Sequence, residues 1–282
     1  MMDINKITDE ISLLEPLQPT AIKLASLTSD KNSTVEQIVE IIRYDPALTA
    51  DILKFSNSAF SASQRRIINI KDAVIRLGGS RIVEKLLGKH VQYRMKKQLP
   101  SYGYSENDLW RHSVAAATAA EILNSMTTVE INGLSFTAAL LHDIGKLIIG
   151  RIALPESMEK IWLLVSKKSS ACPVETAEKH VLGFSHADIG ANIASAWQLP
   201  QPVVNAIRDH HLTEYVTDSI TDAVKIANIT ARSIGEGIGN EGMSVAIDFA
   251  IVERMGLTHD AFEQLCAKTA YKFRDVMKMF EI

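Results

Sequence analysis

The chain has 282 residues, 46% hydrophobic and 22% charged, so it can bury one large core or two smaller ones and is too apolar to be disordered. Its formal net charge of −3 and pI near 6.3, with no long block of Lys or Arg, make it a poor match for a phosphate backbone, and nucleic acid is not an expected partner. Apolar runs stop short of the roughly 18 residues that a bilayer span needs, Met1-Met2-Asp3-Ile4-Asn5 does not read as a signal peptide, and Cys172 and Cys266 are too far apart for a metal knuckle. The expectations are a cytoplasmic protein, no membrane segment and reduced thiols.

Helical periodicity runs through the chain with no alternating strand pair, which predicts an all-α fold. The first helix read from the pattern is Gln18 to Leu27. Ser33 with Glu36 reads as a capping box in front of the Val35, Ile38, Val39, Ile42 stripe. Asp45-Pro46 is an N-cap followed by proline at the first helical position, and its helix runs to the Asn57-Ser58-Ala59-Phe60 turn. Beyond the polar loop at Ser63 to Arg66 come a short helix at Asp72 to Leu77, a stop at Gly78-Gly79, and a longer helix from Ser80. Residues 1–100 are expected to form an N-terminal helical subdomain of about five helices. Pro100-Ser101-Tyr102-Gly103-Tyr104 marks the boundary, and residues 101–282 form the second part.

Ser105 is expected to cap a long helix carrying Trp110, His112 and the run Ala115 to Ala120, whose small side chains suit close packing on several sides. Ser135 to Asp143, Lys146 to Ile152, Pro155 to Val165 and Pro173 to Gly183 follow. Ser185 caps a helix holding His186 and Asp188, and Leu199-Pro200-Gln201-Pro202 restarts the chain into Val203 to His211. Two or three helices complete the tail from Asp218, the last capped by Thr258. The glycine-dense stretch Gly235 to Gly242 follows no strand, so it is a weak phosphate cradle.

The chemistry centres on Ala138-Ala139-Leu140-Leu141-His142-Asp143-Ile144-Gly145-Lys146. An apolar helix ends there in an imidazole and a carboxylate where water is scarce, and Gly145 is expected to release the backbone. Such groups need a metal ion or a hydrogen-bond network. Six of the eight histidines, His112, His142, His180, His186, His210 and His211, fall between Trp110 and Leu212, and carboxylates stand near several of them, Asp108 one helical turn before His112 among them. Imidazole with carboxylate and no thiolate suits iron, manganese, zinc or nickel. His90, His180 and His259 have no such companions and read as surface residues, while Trp110 and Trp197 read as core.

The order His112, then His142-Asp143, resembles the HD superfamily of metal-dependent phosphohydrolases, and the closer likeness is to the HDOD family, the HD-related output domain of bacterial signalling proteins. It covers about residues 14–212. It rests on Tyr44-Asp45-Pro46-Ala47-Leu48-Thr49, Ser56 to Phe60, Ala73 to Gly78, Leu109-Trp110-Arg111-His112-Ser113, the His142-Asp143 stretch, His186-Ala187-Asp188-Ile189-Gly190-Ala191, Trp197-Gln198-Leu199-Pro200 and His210-His211. The HD-GYP cyclic dinucleotide phosphodiesterases are similar at Asp108, His112, His142-Asp143, His186 and His210-His211. Where they carry a final aspartate this chain has Asn228, which offers a carbonyl oxygen and no charge. After His211 it reads Leu212-Thr213-Glu214-Tyr215, without the Gly-Tyr-Pro signature.

The resemblance implies a divalent-metal site built from Asp108, His112, His142, Asp143, His186, His210, His211 and Asn228. If the site is active, a water activated by the metal attacks a phosphoester while Lys146, His186 or His210 positions the phosphate. Two functions remain open: a signalling module that retains the site and answers to a protein partner, and a phosphohydrolase acting on a nucleotide or other phosphorylated small molecule. For each group the plain alternative stands: a hydrogen-bonded core pair at His142-Asp143, a helix-end dipole contact at His210-His211, and a capping arrangement for Asp108.

Overall fold

The computed structural model describes residues 4–278 apart from 13, 15–18, 29, 31, 44–45, 58–66, 132, 167–171, 213–217 and 243–247. The Asp45 cap, the 58–60 turn, the 63–66 loop and Thr213 to Tyr215 therefore lie outside the described residues. Within them the regular structure is helical, as the periodicity predicts, and the isolated bridge between Leu99 and Tyr104 is the extended pairing present. The helices are α1 (Ile4–Ser12), α2 (Pro19–Thr28), α3 (Val35–Ile42), α4 (Pro46–Ser56), α5 (Ile70–Leu77), α6 (Gly79–Met95), α7 (Asp108–Asn124) and α8 (Leu134–Leu141). They continue as α9 (Lys146–Ile152), α10 (Pro155–Val165), α11 (Val174–Leu182), α12 (His186–Ala196), α13 (Gln201–Asp209), α14 (Ser219–Ser233), α15 (Phe249–Arg254) and α16 (His259–Lys278). Among the described residues no helix is long and apolar enough to cross a membrane.

The chain divides into two compact units, Leu17–His90 and Met1–Pro16 with Val91–Ile282. In the first, α3 packs on α2, α4 and α5, and Leu24, Ala25, Ile38, Ile42, Ile52, Ala73 and Val74 make the core. Its caps sit slightly off the expected positions. Thr34, not Ser33, accepts from the Gln37 N–H while the Gln37 side chain accepts from the Thr34 N–H, so the capping box is shifted by one residue. Helix α5 starts at Ile70, two residues before the expected Asp72, because the Asn69 side chain accepts from the Asp72 N–H.

The second unit is assembled around α7. Ala115, Ala116, Ala117, Ala119 and Ala120 are all fully buried, and their small size lets α8, α14 and α16 pack against the one helix. Ile251 and Val252 of α15, Met255 just after it, and Phe262 and Leu265 of α16 form a further core with Leu123, Ala223 and Ile226. Helix α13 packs on α8, α12 and α14, which carries the Pro200 restart back toward the end of α8. Ser105 does not cap α7. Asn107 holds that position with a left-handed φ of 72°, and the Asp108 carboxylate accepts from the Ser105 N–H.

Gly145 also differs from its expected part. Its φ of −63° is ordinary right-handed backbone, so it releases nothing. A Cβ there would collide with the His186 carbonyl and the Gly190 N–H. The residue is needed so that the start of α12 can lie directly against the turn that follows His142-Asp143.

Candidate metal centre

Helix α8 ends at Leu141, and turns through His142 to Gly145 precede α9. That places Asp143 at the meeting point of α7, α12 and the end of α13. His112 and His142 put their Nε2 atoms 3.4 and 3.5 Å from Asp143 Oδ2. His186 and His210 put theirs 3.3 and 4.0 Å from Asp143 Oδ1. Each carboxylate oxygen thus faces its own set of imidazoles: a trio of His112, His142 and Asp143, and a quartet of Asp143, His186, His210 and His211, both with the spacing of metal ligands. His112, His142, Asp143, His186 and His210 are each 3% exposed or less, and His211 is half-buried.

The outer contacts decide which way the lone pairs point. The Nδ1–H of His142 donates to the Ala139 carbonyl, that of His210 to Ile207 and that of His112 to Glu236, at 2.7, 2.6 and 3.0 Å. The Nδ1–H of His186 donates to the Glu178 carboxylate at 2.7 Å. A carbonyl can only accept, so Nδ1 bears the hydrogen and a neutral ring turns an Nε2 lone pair inward. The Nε2 atoms of His112 and His142 then face each other at 3.2 Å, and those of His186 and His211 at 3.0 Å. The His112 and His142 lone pairs at that distance repel unless a cation or proton lies between them, and the gap between His186 and His211 takes either a shared cation or one Nε2–H.

Protonation is poorly suited to that part in most of the cluster. Burial pushes His112 down to about 4, against the pull of Asp143. Burial also lowers His142, and burial together with the facing imidazoles puts His210 and His211 well below the usual histidine range. His186 goes the other way, since Glu178 and Asp143 outweigh its burial and raise it. Asp143 stays ionised despite burial because Lys146 and the surrounding rings hold it well below the carboxylate range. Asp143 Oδ1 and His210 Nε2 are buried without a hydrogen-bond partner. An orphaned carboxylate oxygen, an orphaned imidazole nitrogen and opposed lone pairs fit a divalent cation.

Lys146, expected at a substrate phosphate, is held inside the protein. Its ammonium donates to Asp143 Oδ2 at 2.9 Å, to Glu241 Oε1 at 2.7 Å and to the Tyr104 hydroxyl at 3.1 Å. Asp143 and Glu241 more than offset its burial, so it stays charged far above the normal lysine range. Asp108 serves the Ser105 N–H and belongs to neither ligand group. Asn228 is buried on α14, which packs against α7 and α8. His180 and His259 are exposed, and the His90 side chain lies outside the described part.

The residues that support the centre leave little trace in the sequence. The glycine-dense stretch is a clamp: Arg111 grips the Glu236 carboxylate with two bonds of 2.8 and 2.6 Å, and the Glu236 carbonyl fixes His112. Gly237, at φ +64°, passes so close that a Cβ would strike the His112 side chain. Glu178 left one usable trace, because it shares the inward face of α11 with Val174, Ala177 and Leu182, an odd place for a charge. Tyr102, Tyr104 and Glu241 carried no such signal.

A family model described as the HDOD domain matches residues 14–213. Among curated proteins, the chain is 28% identical over 230 residues to an uncharacterized protein of Treponema pallidum (strain Nichols), covering 80% of this chain and 44% of that protein. It is 30% identical over 223 residues to Ribonuclease Y of Campylobacter hominis, covering 76% and 35%. The chain therefore spans less than half the length of these relatives. A solved structure from Marinobacter aquaeolei VT8, provisionally described as a signal transduction protein, superposes with a TM-score of 0.72 at 22% identity, covering 99% of this chain and 61% of that one. That likeness shows a shared fold.

Proposed function

The chain belongs to the HDOD family, and from that premise we propose that it is a bacterial signal-transduction module retaining an HD-type centre for two divalent ions. The observation that carries the reading is a set of six inward-facing donor residues, five of them almost wholly closed off from solvent. His112 and His142 hold one side of Asp143, and His186, His210 and His211 hold the other. Lys146 neutralises Asp143 and ties the 235–242 loop to the centre through Glu241. A site so enclosed serves to fix the fold around it and to report occupancy through that loop to a signalling partner.

The second reading is a metal-dependent phosphohydrolase acting on a nucleotide or other phosphoester. It is favoured by the two-sided use of Asp143, the arrangement expected where two ions flank a phosphoester, and is consistent with the ribonuclease among the relatives. Ions bound there supply Lewis acidity. In that case His211, the half-buried ligand, marks the side from which a phosphate enters, while His186 and His210, with Nδ1 bonded to Glu178 and to the Ile207 carbonyl, serve through the ion they hold. Lys146 has to leave Glu241 before it can meet a phosphate oxygen.

Elemental analysis of protein purified without chelators, followed by a phosphoesterase screen in manganese and in iron, separates the two. The module reading expects bound metal and no turnover above that of His142→Ala. Turnover abolished by His142→Ala establishes the hydrolase, and absence of metal under both conditions overturns both readings.

A further inference from the structure

Resting on the two-ion reading above, we propose that the two subsites are unequal: the quartet of Asp143, His186, His210 and His211 is the tight one, and Glu178 is the positioning residue that makes it so. Glu178 is fully buried. Its Oε2 accepts from both the backbone N–H and the Nδ1–H of His186, each at 2.7 Å, and its Oε1 accepts from the Tyr102 hydroxyl at 2.6 Å. Three donors make the buried carboxylate tolerable, but packing alone does not call for it, because an apolar residue of similar size generally serves a core as well or better. Its effect falls on His186, whose ring it holds in one tautomer and one orientation.

The other three rings make the contrast. His112, His142 and His210 lean on the neutral carbonyls of Glu236, Ala139 and Ile207, and His186 alone among these four leans on a full negative charge. An anionic acceptor polarises the imidazole and strengthens Nε2 as a ligand. It also brings a second negative charge beside that of Asp143, so a dication on the quartet side is nearly neutralised by the protein. On the trio side a dication meets the Lys146 ammonium, which sits 2.9 Å from Asp143 Oδ2, the oxygen that His112 and His142 face. Glu241 reduces that repulsion, but it is paired with Lys146 and Arg232 and belongs to neither ligand group. Both orphaned atoms of the centre, Asp143 Oδ1 and His210 Nε2, lie in the quartet.

The test is a manganese titration of chelator-stripped full-length protein followed by electron paramagnetic resonance, which counts bound Mn(II) and distinguishes a lone ion from a spin-coupled pair. The wild type is expected to take up a first, uncoupled ion at least tenfold more tightly than a second, whose arrival produces the coupled signal. Glu178→Gln keeps the shape and removes the charge. It should weaken the first site by about tenfold or more and leave the second unchanged, while Tyr102→Phe changes the first site less. His112→Ala should keep the tight first ion and lose the coupled signal, and this holds the proposal open to refutation even if the Glu178 variant does not fold. Two equal sites in the wild type, unchanged affinity in Glu178→Gln, or loss of the first ion in His112→Ala each overturns the inference and leaves the metal centre standing. No manganese bound by the wild type overturns the metal-centre reading, and the inference with it.

Discussion

The two compact units handle polar residues in opposite ways. Among the described residues of Leu17–His90, Ser56 is the buried polar side chain, the helix caps face solvent, and the Lys71–Glu36 ion pair at 2.8 Å leaves both partners more than half exposed. The other unit buries five ligand residues, Lys146 and Glu178 at its centre, and Glu175, Asp209, Asp222 and Lys225 besides. Stability alone explains the first pattern. The second is expensive to fold: Asp222 is answered by Arg254 at 2.8 and 2.9 Å, whereas the ligand residues leave Asp143 Oδ1 and His210 Nε2 without a hydrogen-bond partner, where a cation fits.

The sharpest way to test that contrast is pH. In the metal-free protein a histidine whose folded pKa is depressed binds its proton more readily once unfolded, so stability falls as pH drops through the interval between the two values. For His112 that interval runs from 6.5 down to about 4, a contribution of roughly 3 kcal/mol at its lower end. His142, His210 and His211 add in the same direction. His186, being raised, opposes them, with stability present below the unfolded value and lost as pH rises through the folded one. The expected result is a marked fall in melting temperature of chelated protein between pH 7 and 4.5, followed by differential scanning calorimetry. A flat profile would mean that the histidines are not buried neutral.

Metal addition comes next. A free ion at 100 times its dissociation constant should stabilise the wild type by about 2.7 kcal/mol, and His142→Ala, which removes a ligand of the trio, should show less of this gain. Gly145→Ala should cost about 1–3 kcal/mol in chemical denaturation, since its Cβ meets backbone atoms of α12 that cannot move aside. In the other unit the effects are smaller. Asn69→Ala should cost about 1 kcal/mol through loss of the α5 cap, and Lys71→Ala should leave the melting temperature unchanged, the pair being screened by solvent. Equal sensitivity of the two units to these substitutions would undo the contrast.

Much of the molecule was legible from local pattern. The 3.6-residue periodicity gives the all-helical class, Pro155 and Pro173 stand at the starts of α10 and α11, Ser185 is the expected cap, closed by Asp188 into a capping box, and Thr258 caps α16. These succeed because a cap and the N–H it serves lie within three residues. Ser33 and Ser105 show the limit, since neighbouring Thr34 and Asn107 take the cap positions and nothing in composition ranks the rivals.

The sequence by itself determined the donor types and the turn that carries two of them, because His142 and Asp143 are neighbours and their chemistry is intrinsic. Only the tertiary structure decided which atoms those donors present. Tyr102 reaches Glu178 across 76 positions, His112 reaches the Glu236 carbonyl across 124, and Lys146 reaches Glu241 across 95. Contacts of that span are fixed by how α7, α11, α12 and the 235–242 loop pack. No periodicity or spacing encodes the direction of a lone pair; it is set by the acceptor that the fold happens to place behind the ring.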